Sequence, residues 1–588
     1  MAKWVMNAKK ADFMALSERL GIDPVVVRVM RNRDLLTIED MNQFLNGTEK
    51  DMHSPWLLND MDKAVDIILE AVSLGKRIRI IGDYDVDGVT STFILVKGIR
   101  AVGGHVDYSI PNRVTDGYGI NESLITTAAD DGIELIITCD NGIAAKDAFL
   151  IAKEKGITCV ITDHHEVPYE EADGEINYIY PDVEAIINPK RHDSTYPFKG
   201  ICGAMVAYKL ICALNDKSPI QADILYELRE MAGFGTVCDV MELKDENRIV
   251  VKLALQDMNY SHNIGIRALR KVCDLEKKDM SAFHLGFVLG PCINATGRLD
   301  SASLSLELLL TESFEDAVVK ASELKRLNDI RKELTEKGVE EAFKVIEEKG
   351  IADNDVMVVY LPELHESLAG IVAGRVRERF YRPTIVITKT DEGLKGSGRS
   401  IESYNMHEEL TKVAELFTKF GGHKMAAGLS LEESNLAALN SRLNENSKLS
   451  LDDLQEKIVI DVPMPMGYVT EKLISDLDVL EPFGTGNQKP VFATKNVCFV
   501  SFSPMGKNGD MGKFKVITED NCRRELILFR GLKDFEDTLN SKYGADAWEN
   551  LKSGICPDSG YLMDVVYYPG INEFRGVKSI QYIMQNYK

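Results

Sequence analysis

The stretch Cys159-Val160-Ile161-Thr162-Asp163-His164-His165 is an apolar run that ends in a carboxylate and two imidazoles. Two earlier apolar runs also end in acidic residues. Residues 78–82 lead into Asp83-Tyr84-Asp85-Val86-Asp87-Gly88, and residues 135–139 lead into Asp140-Asn141-Gly142. If the three runs are parallel strands, their polar ends lie together on one edge of a sheet, where open α/β sheets bind ligands.

A fourth acidic residue extends this pattern. Asp239 follows the segment 233–238, and we expect it at a further strand end on the same edge. Several carboxylates cannot converge without a compensating positive charge, because burial and repulsion disfavour the charged forms. Oxygen ligands with one or two imidazoles suit Mg²⁺ or Mn²⁺. The sequence therefore predicts a divalent-metal site built from Asp85, Asp87, Asp140, His164 and Asp239.

Each part of the pattern also has a simpler interpretation. The segment at Asp85 and Asp87 can be a capped turn, and the histidine pair can include a core histidine with satisfied hydrogen bonds. Asp83 can be a ligand, a group that orients a ligand, or a cap. An EF-hand is excluded, because the acidic positions come from four distant segments. In the metal-site interpretation, His164 is a ligand and His165 is a neighbour that donates a proton or a hydrogen bond to phosphate.

Length and composition limit the class of protein. A chain of 588 residues with 45 % hydrophobic residues is expected to form three to four domains. A net charge of −23 argues against a basic nucleic-acid coating protein, but a nucleic-acid enzyme can confine its positive potential to a groove. No apolar stretch is long enough to span a bilayer. The ten scattered cysteines and the lack of an apolar signal core behind residues 1–10 favour a reducing cytoplasm.

The predicted organisation has five parts. Short apolar runs at 78–82, 105–110, 134–139, 158–162 and 184–188 alternate with helical stretches, which is typical of an α/β fold with a doubly wound parallel sheet. Residues 314–349 have helical spacing with dense charge, so we expect one or two long helices that act as a solvated spacer. The expected boundaries are a helical segment at 1–60, the α/β domain at 61–313, the helical linker at 314–350, a second α/β domain at 351–450 and a small β-barrel or sandwich at 451–588.

Basic and glycine-rich segments are candidates for binding phosphate. Arg113 and Arg298 lie in segments expected to ring the sheet edge, and arginine recognises phosphate in a bidentate manner. Gly396-Ser397-Gly398-Arg399 is a further candidate cradle. The glycine-rich segment 421–428 lies in the same domain, although tight helix packing would explain it equally well.

At this point the residues resemble a known family. Asp85-Val86-Asp87-Gly88, Asp140-Asn141-Gly142, Asp163-His164-His165 and Asp239 look like the four motifs of DHH-type phosphoesterases. Residues 396–400 and Gly421-Gly422-His423-Lys424 resemble the DHHA1 nucleic-acid-binding domain of that family. The segments 294–298, 481–487 and 572–576 are similar to those of its single-strand-specific 5′→3′ DNA exonuclease branch, whose C-terminal part is an OB-fold.

The resemblance implies a function and roles for residues. It implies a metal-dependent exonuclease that hydrolyses single-stranded DNA in repair and recombination, with two Mn²⁺ or Mg²⁺ ions bridged by Asp140. Single-stranded DNA is the expected partner, a single-strand-binding protein and a helicase are candidate protein partners, and we expect a monomer. The implied catalytic residues are His165, Asp140 and Asp87, and the implied nucleic-acid contacts are Arg113, Arg298, Ser397, Arg399, His423 and Lys424.

Two alternatives remain open. One is a DHH phosphodiesterase of short oligonucleotides or cyclic dinucleotides, against which the OB-like C-terminal segment argues. The other is a non-catalytic DNA-binding scaffold of the same descent. Such a scaffold would be expected to lose metal ligands, whereas all five ligand positions are present in this chain.

Overall fold

A computed structural model describes residues 2–111, 119–172, 174–299, 301–391, 393–506, 509, 511–557, 560–574 and 576–588. The predicted DNA contact Arg113 lies outside these residues. The chain divides into two compact units. One contains residues 48–454, and the other combines residues 1–47 with residues 455–588. In the described part of the chain, no helix has both the length and the apolar character needed to cross a membrane.

The first 47 residues contain a strand as well as the predicted small helices. The elements are β1 (Lys3–Met6), α1 (Phe13–Leu20), α2 (Pro24–Asn32) and α3 (Ile38–Asn46). Strand β1 pairs in parallel with β14 (Lys457–Ile460). Its partner lies some 450 residues away, so the local sequence of β1 carries little signal of the pairing.

The larger unit begins with the predicted parallel sheet. Its elements are α4 (Met61–Ser73), β2 (Arg77–Ile81), α5 (Val86–Ala101), β3 (His105–Ser109), α6 (Glu122–Asp130), β4 (Leu135–Cys139), α7 (Lys146–Glu154), β5 (Thr158–Thr162), the hairpin β6 (Tyr169–Ala172) and β7 (Glu175–Tyr178), and β8 (Ala185–Ile187). The sheet order is β3-β2-β4-β5-β8, and every pair is parallel. The α/β fold predicted from the alternating pattern is confirmed.

Both faces of this sheet are buried. Ile80 and Ile137 belong to one core cluster, whereas their neighbours Ile81 and Ile136 belong to the other. Successive side chains of a strand point to opposite faces, so strands with a helix layer on each side become continuous apolar runs. The carboxyl ends of β2, β4 and β5 therefore form one polar edge.

A helical region follows the sheet and leads to a long helix. It contains α8 (Gly203–Lys217), α9 (Ala222–Cys238), α10 (Asp245–Met258), α11 (Ile264–Val272), α12 (Ala282–His284), a π-helical turn (Leu285–Leu289), α13 (Gly290–Leu299), α14 (Ser303–Leu310) and α15 (Phe314–Lys349). The expected long helical segment is a single helix, α15, but the expectation of a solvated spacer is wrong, because Ala317, Ala321 and Leu324 lie in one core cluster and Ala342 and Ile346 in another. It is capped at its start by Ser313, whose side chain accepts from Asp316 N, and at its end by Gly350 in the left-handed region.

The second α/β sheet completes this unit. Its elements are β9 (Met357–Tyr360), α16 (Ala369–Phe380), β10 (Thr384–Thr390), β11 (Gly393–Arg399), α17 (Met406–Thr411), β12 (Phe417–His423), β13 (Ala426–Leu431) and α18 (Leu436–Glu445). The sheet order is β12-β13-β11-β10-β9. The expected phosphate cradle at 396–399 is part of strand β11. The glycine-rich segment 421–428 belongs to the β12–β13 hairpin, so tight helix packing does not explain its glycines.

The C-terminal segment forms a closed barrel. After β14 come β15 (Val462–Pro463), α19 (Glu471–Asp478), β16 (Phe492–Met505), β17 (Met511–Ile517), β18 (Arg523–Leu528), α20 (Leu532–Tyr543), α21 (Ala547–Lys552), β19 (Tyr561–Phe574) and β20 (Val577–Tyr587). The pairings follow β16-β17-β18-β20-β19, and β19 returns to β16, which leaves these five strands without an open edge. The predicted small barrel is confirmed.

Candidate active site

The turn after β2 positions the first carboxylates. Asp85 is the N-cap of α5, and its Oδ1 accepts from Gly88 N at 3.0 Å. Asp87 lies in the first turn of α5 and accepts from Gly203 N at 2.7 Å and Ala204 N at 2.9 Å, at the start of α8. The N-terminus of a helix favours a negative charge, so α8 holds Asp87 as an oriented carboxylate. The capped turn considered as the simpler interpretation is therefore present, and the same turn carries two carboxylates of the acidic cluster.

Asp140 occupies the turn after β4. Its φ of 59° places it in the left-handed region, which is uncommon for a residue other than glycine. Its backbone N–H donates to Thr162 O at 3.1 Å, which ties the ends of β4 and β5 together. A Cβ at Gly203 would lie 2.9 Å from Asp140 Oδ1. A glycine at the start of α8 therefore leaves the space that the Asp140 carboxylate occupies.

The end of β5 supplies the two imidazoles. The buried Asp163 accepts from the backbone N–H groups of Ile143 at 2.9 Å, His164 at 2.7 Å and His165 at 3.1 Å. Its Oδ1 also lies 2.7 Å from His165 Nδ1. Asn188 Nδ2 donates to His165 O at 2.9 Å. Asp163 therefore fixes the backbone of the turn and the orientation of the His165 ring.

Asp239 reaches the site from a helix, so the expectation of a further strand end is wrong. The apolar segment 233–238 is the last part of α9, and Asp239 is its C-cap. A Cβ at Gly235 would lie 2.6 Å from both Asp87 Oδ1 and Ala204 Cβ. Gly235 therefore lets α9 approach α5 and α8 closely, and this packing places Asp239 at the sheet edge.

The structure brings the predicted ligands together. Three groups have ligand atoms within 4.8 Å of one another, and Asp140 and His164 each belong to two of them: Asp83, Asp85 and Asp140; Asp140, His164 and His165; and Asp87, His164 and Asp239. His164 Nε2 lies 3.0 Å from Asp140 Oδ1, 3.7 Å from Asp87 Oδ2 and 3.8 Å from Asp239 Oδ2.

The electrostatics of the cluster favour the binding of a positive charge. Burial and the charge of Asp87 raise the pKa of Asp85, and the same causes raise the pKa of Asp140 well above its usual range. Burial, Asp87 and Asp85 raise the pKa of Asp239 to about 8. Burial also lowers the pKa of His164 to about 4, which leaves a neutral imidazole among the carboxylates. Carboxylates and a neutral imidazole are the ligands that a divalent cation requires.

Asp163 and His165 behave as an ion pair. Burial opposes the charged form of both groups, but their hydrogen bond outweighs it. The pKa of Asp163 is lowered to about 2, and the pKa of His165 is raised to about 9. The hydrogen bond to Asp163 therefore favours the protonated form of His165, whose side chain is 38 % exposed.

The donor set fits a divalent metal. Asp140 Oδ1 is buried and accepts no hydrogen bond from the described residues, and its neighbour at 3.0 Å is the His164 ring. A buried carboxylate oxygen without a donor is costly unless a cation takes that place. Mn²⁺ or Mg²⁺ matches a set made largely of carboxylate oxygens.

A basic cavity lies between α13 and the second sheet. It encloses about 290 Å³ and is lined by Arg298, Ser367, Gly370, Lys395, Ser397 and Arg399, among others. Arg298 Nη1 donates to Ser367 O at 2.6 Å, and Arg399 Nη1 donates to Ser397 Oγ at 3.2 Å. A Cβ at Gly370 would lie 2.7 Å from Arg399 Nη2. The predicted phosphate contacts Arg298, Ser397 and Arg399 are thus brought together, although about 100 residues separate Arg298 from the other two in the chain.

One face of the second sheet extends this basic cavity. Arg399 and His423 are both in register with Ala426, one on each side of β13. Ser397 is in register with Gly428, which pairs with Gly421. A Cβ at either of these glycines would meet nothing within 4 Å. The glycines therefore keep this face open between the basic side chains.

Lys424 and Lys419 lie at the two ends of the same strand region. Lys424 is exposed in the turn after β12, next to His423. Lys419 is exposed on β12 and in register with Ser430, which pairs with Lys395. The sequence analysis did not select Lys419. In the sequence, Lys419, Gly421 and His423 stand at every second position. This strand-like alternation could have identified Lys419 as a residue on the same face as His423.

Two other contributors were not assigned roles from the sequence. Asp163 stands in the same triplet as the histidines, accepts from backbone N–H groups of the turn and lies 2.7 Å from His165 Nδ1. Asn294 Oδ1 accepts from Val86 N at 3.2 Å and so supports the turn between Asp85 and Asp87. Both act through hydrogen bonds to backbone that only the folded structure defines.

Comparisons with known proteins agree with this geometry. Family models match residues 77–235 (DHH family, N-terminal domain), 353–448 (DHHA1 domain) and 460–586 (RecJ OB domain). The chain is 35 % identical to the single-stranded-DNA-specific exonuclease RecJ of Bacillus subtilis, with 99 % of this chain and 70 % of the relative covered. It is 33 % identical to RecJ of Escherichia coli over 96 % of each chain. The chain belongs to the RecJ family.

Solved RecJ structures have the same fold. The structure of RecJ from Thermus thermophilus in complex with Mn²⁺ superimposes with a TM-score of 0.80 at 25 % identity, over 100 % of this chain and 79 % of that one. A further structure, of exonuclease RecJ bound to manganese, is 31 % identical with a TM-score of 0.57 and covers 68 % of this chain. The metal-binding chemistry of this RecJ-family site therefore has counterparts in structures that contain the ion.

Proposed function

We infer that this chain is a metal-dependent exonuclease that hydrolyses single-stranded DNA to nucleotides in the 5′→3′ direction, in repair and recombination. The observation that carries the inference is that Asp140 belongs both to the group with Asp83 and Asp85 and to the group with His164 in a RecJ-family chain. A carboxylate has two oxygens and can serve two adjacent ions, whereas the His164 imidazole can bind one. The basic cavity beside them supplies the recognition of phosphate.

The proposed metal ligands come from the three groups of neighbouring ligand atoms at the sheet edge. Asp85, Asp87, Asp140, His164 and Asp239 would hold two Mn²⁺ or Mg²⁺ ions, with Asp140 between them and Asp83 as a further candidate. When bound, such a pair of ions neutralises charge on the scissile phosphate and favours the deprotonation of water. The backbone donors of Gly203 and Ala204 hold Asp87 in place for this task.

The catalytic work of the side chains centres on three residues. Asp87 and Asp140 hold the metals. His165, oriented through Nδ1 by Asp163, would donate from its other nitrogen to a phosphate oxygen or to the leaving group. Its partly exposed ring can meet a substrate that enters from solvent.

The substrate contacts would come from helix α13 and from the second sheet of the larger unit. Arg298, Ser397 and Arg399 would hold phosphates next to the scissile bond, and His423 and Lys424 would follow the strand along the open face of the second sheet. Arg113 stays a predicted contact. A groove too narrow for a duplex would give single-strand specificity by steric exclusion, without readout of sequence.

We also propose a cellular location, an oligomeric state and protein partners for this chain. The ten cysteines are all free thiols, which supports a cytoplasmic location. We expect a monomer whose substrate is supplied by a helicase and by a single-strand-binding protein. Both would deliver the unpaired 5′ ends that the reaction consumes.

The test uses three substrates with Mn²⁺ and with EDTA. A 5′-labelled single strand should lose its label as mononucleotide, a blunt duplex should persist, and EDTA should stop the reaction. Rapid hydrolysis of a dinucleotide or a cyclic dinucleotide, with the long strand left intact, would support the small-nucleotide phosphodiesterase instead. Tight binding of the strand without hydrolysis under any metal would support the scaffold.

A further inference from the structure

Two phenylalanines outside the catalytic cluster are stacked on the protein surface. The rings of Phe283 and Phe287 lie 5.2 Å apart with an interplanar angle of 22°. Phe283 is 62 % exposed and Phe287 is 71 % exposed. Apolar surface left in contact with water is unfavourable, and at this exposure the two rings keep most of theirs in water. They present flat apolar surface to solvent rather than to the core.

The pair is carried by the continuous helical segment that passes the active site. This segment runs from α12 through the π-helical turn Leu285–Leu289 into α13. Phe287, Pro291, Asn294 and Arg298 follow a spacing of 4, 3 and 4 residues, which places them on one helix face. Leu289, Cys292, Ile293, Ala295 and Thr296 on the remaining faces are buried. The face with Phe287 is therefore the less buried one.

That face is continuous with the active site. Asn294 Oδ1 accepts a hydrogen bond from the backbone N–H of Val86, between Asp85 and Asp87. Arg298, farther along, lines the basic cavity. Phe287 and Arg298 are separated by 11 residues, or about 16 Å of helix rise. The two ends of the face thus flank the turn that carries the first metal ligands.

The π-helical turn is also anchored beside Asp239. Cys238 Sγ donates to Leu285 O at 3.6 Å. A Cβ at Gly286 would lie 3.5 Å from Val237 Cγ1. The aromatic pair is therefore held next to the last two residues before Asp239. π-helical turns within helices occur frequently at functional sites.

We propose that Phe283 and Phe287 form a stacking platform for unpaired bases on the 3′ side of the scissile phosphate. The proposal rests on the proposed function. An enzyme that releases mononucleotides from a 5′ end keeps nearly all of the bound strand on the 3′ side of the scissile phosphate, so exposed rings on a helix face continuous with the active site would meet that part of the strand. Aromatic rings stack on any base, whereas the bases of a duplex expose no free faces there. The platform would therefore add to the preference for single strands without sequence readout.

The experiment compares variants on strands of graded length. The F283L/F287L double variant keeps apolar side chains but loses both rings. We expect it to raise the KM for a single-stranded 20-mer about 10-fold or more, with kcat little changed, because base stacking on an aromatic ring contributes roughly 1–3 kcal/mol per base. The increase should shrink as the strand is shortened toward a dinucleotide. F287W should retain most of the affinity.

A matched control and a direct readout accompany the kinetics. Tyr260→Leu removes another exposed ring of the same unit, 86 % exposed and outside this helix face, and should leave the KM for the 20-mer unchanged. In Ca²⁺, 2-aminopurine placed in turn at each position of the 20-mer should show quenched fluorescence at one or two positions 3′ of the first phosphates. The F283L/F287L variant should relieve that quenching.

Two outcomes would overturn the platform. One is an unchanged affinity of F283L/F287L for the 20-mer, and the other is quenching that survives loss of both rings. Binding in Ca²⁺ does not depend on turnover, so it tests the platform even if wild-type protein hydrolyses no strand. Failure of the exonuclease assay and failure of the platform are thereby distinguished. Thermal unfolding of each variant checks that the fold is intact.

Discussion

The Asp163 carboxylate lies 2.7 Å from His165 Nδ1, and Asp163 also accepts the backbone N–H groups of both following histidines. One side chain therefore sets the turn that presents His164 and the ring orientation of His165. The first residue of the Asp-His-His triplet serves the other two and stands outside the three groups of candidate metal ligands.

This relationship predicts that Asp163→Asn impairs catalysis through His165. The amide can donate to Nδ1 and so favours the wrong tautomer, and it no longer stabilises the charged ring. We expect single-turnover hydrolysis of a 5′-labelled strand to fall by roughly 10²–10⁴-fold, as for His165→Ala, which removes the donor itself. Strand binding in Ca²⁺ should change little for either variant.

The double variant supplies the control for that prediction. If Asp163 acts through His165, the rates of Asp163→Asn, His165→Ala and the combined variant should be similar, because residues that act as a unit are not additive. Fully additive losses would mean that Asp163 and His165 act separately.

Asp140→Ala should abolish hydrolysis and weaken metal binding. Asp140 belongs to two of the three groups of ligand atoms, so its loss affects both proposed ions. Calorimetric titration with Mn²⁺ should show a lower affinity, and a strand-release assay should show no activity above background. Near-normal activity of this variant in Mn²⁺ would contradict the shared-ligand assignment.

Arg399→Ala should weaken binding to single strands of any sequence about equally. Each lost phosphate contact should reduce the slope of log K against log salt by about 0.7 for single strands. The measurement is salt-titrated binding in Ca²⁺. Arg442→Ala is the control, because Arg442 lies in the same domain, pairs with Glu415 and does not line the basic cavity. An unchanged slope for Arg399→Ala would remove the second sheet from the proposed binding surface.

A buried acid away from the site predicts how stability depends on pH. Glu230 is 1 % exposed, and its carboxylate accepts from Ser261 Oγ at 2.5 Å. Burial raises the pKa of Glu230 to about 8. The folded state then retains a proton that the unfolded state loses, so stability should fall as pH rises from about 4.5 to 8 and level off above it.

Glu230→Gln should remove this part of the pH dependence. The glutamine is neutral at every pH. The melting temperature of the variant should therefore fall less between pH 6 and pH 9 than the melting temperature of the wild type. Melts are measured by circular dichroism at saturating Mg²⁺. The acidic cluster of the active site titrates in both proteins, so the difference between their melting-temperature profiles reports the contribution of Glu230. Parallel pH profiles would show that Glu230 is already ionised in the folded state.

Much of the larger unit could be predicted from the sequence because its signals are local. Strands buried on both faces are apolar along their whole length, and the residue that follows each strand is fixed by chain order. The positions of Asp85, Asp87, Asp140 and His164 at one sheet edge therefore followed from the pattern of runs. Short alternating runs predicted a small β-barrel or sandwich at the C-terminal end, and the choice of a barrel came from the family resemblance.

Tertiary structure alone decided the rest. Asp239 reaches the site because Gly235 lets α9 approach Asp87, and the apolar segment before it does not reveal whether it forms a strand or a helix end. Arg298 and Arg399 share a cavity across some 100 residues of chain. Whether Phe283 and Phe287 face core or solvent depends on what packs against α12 and the π-helical turn. Contacts between distant segments fix these features, and local periodicity does not encode them.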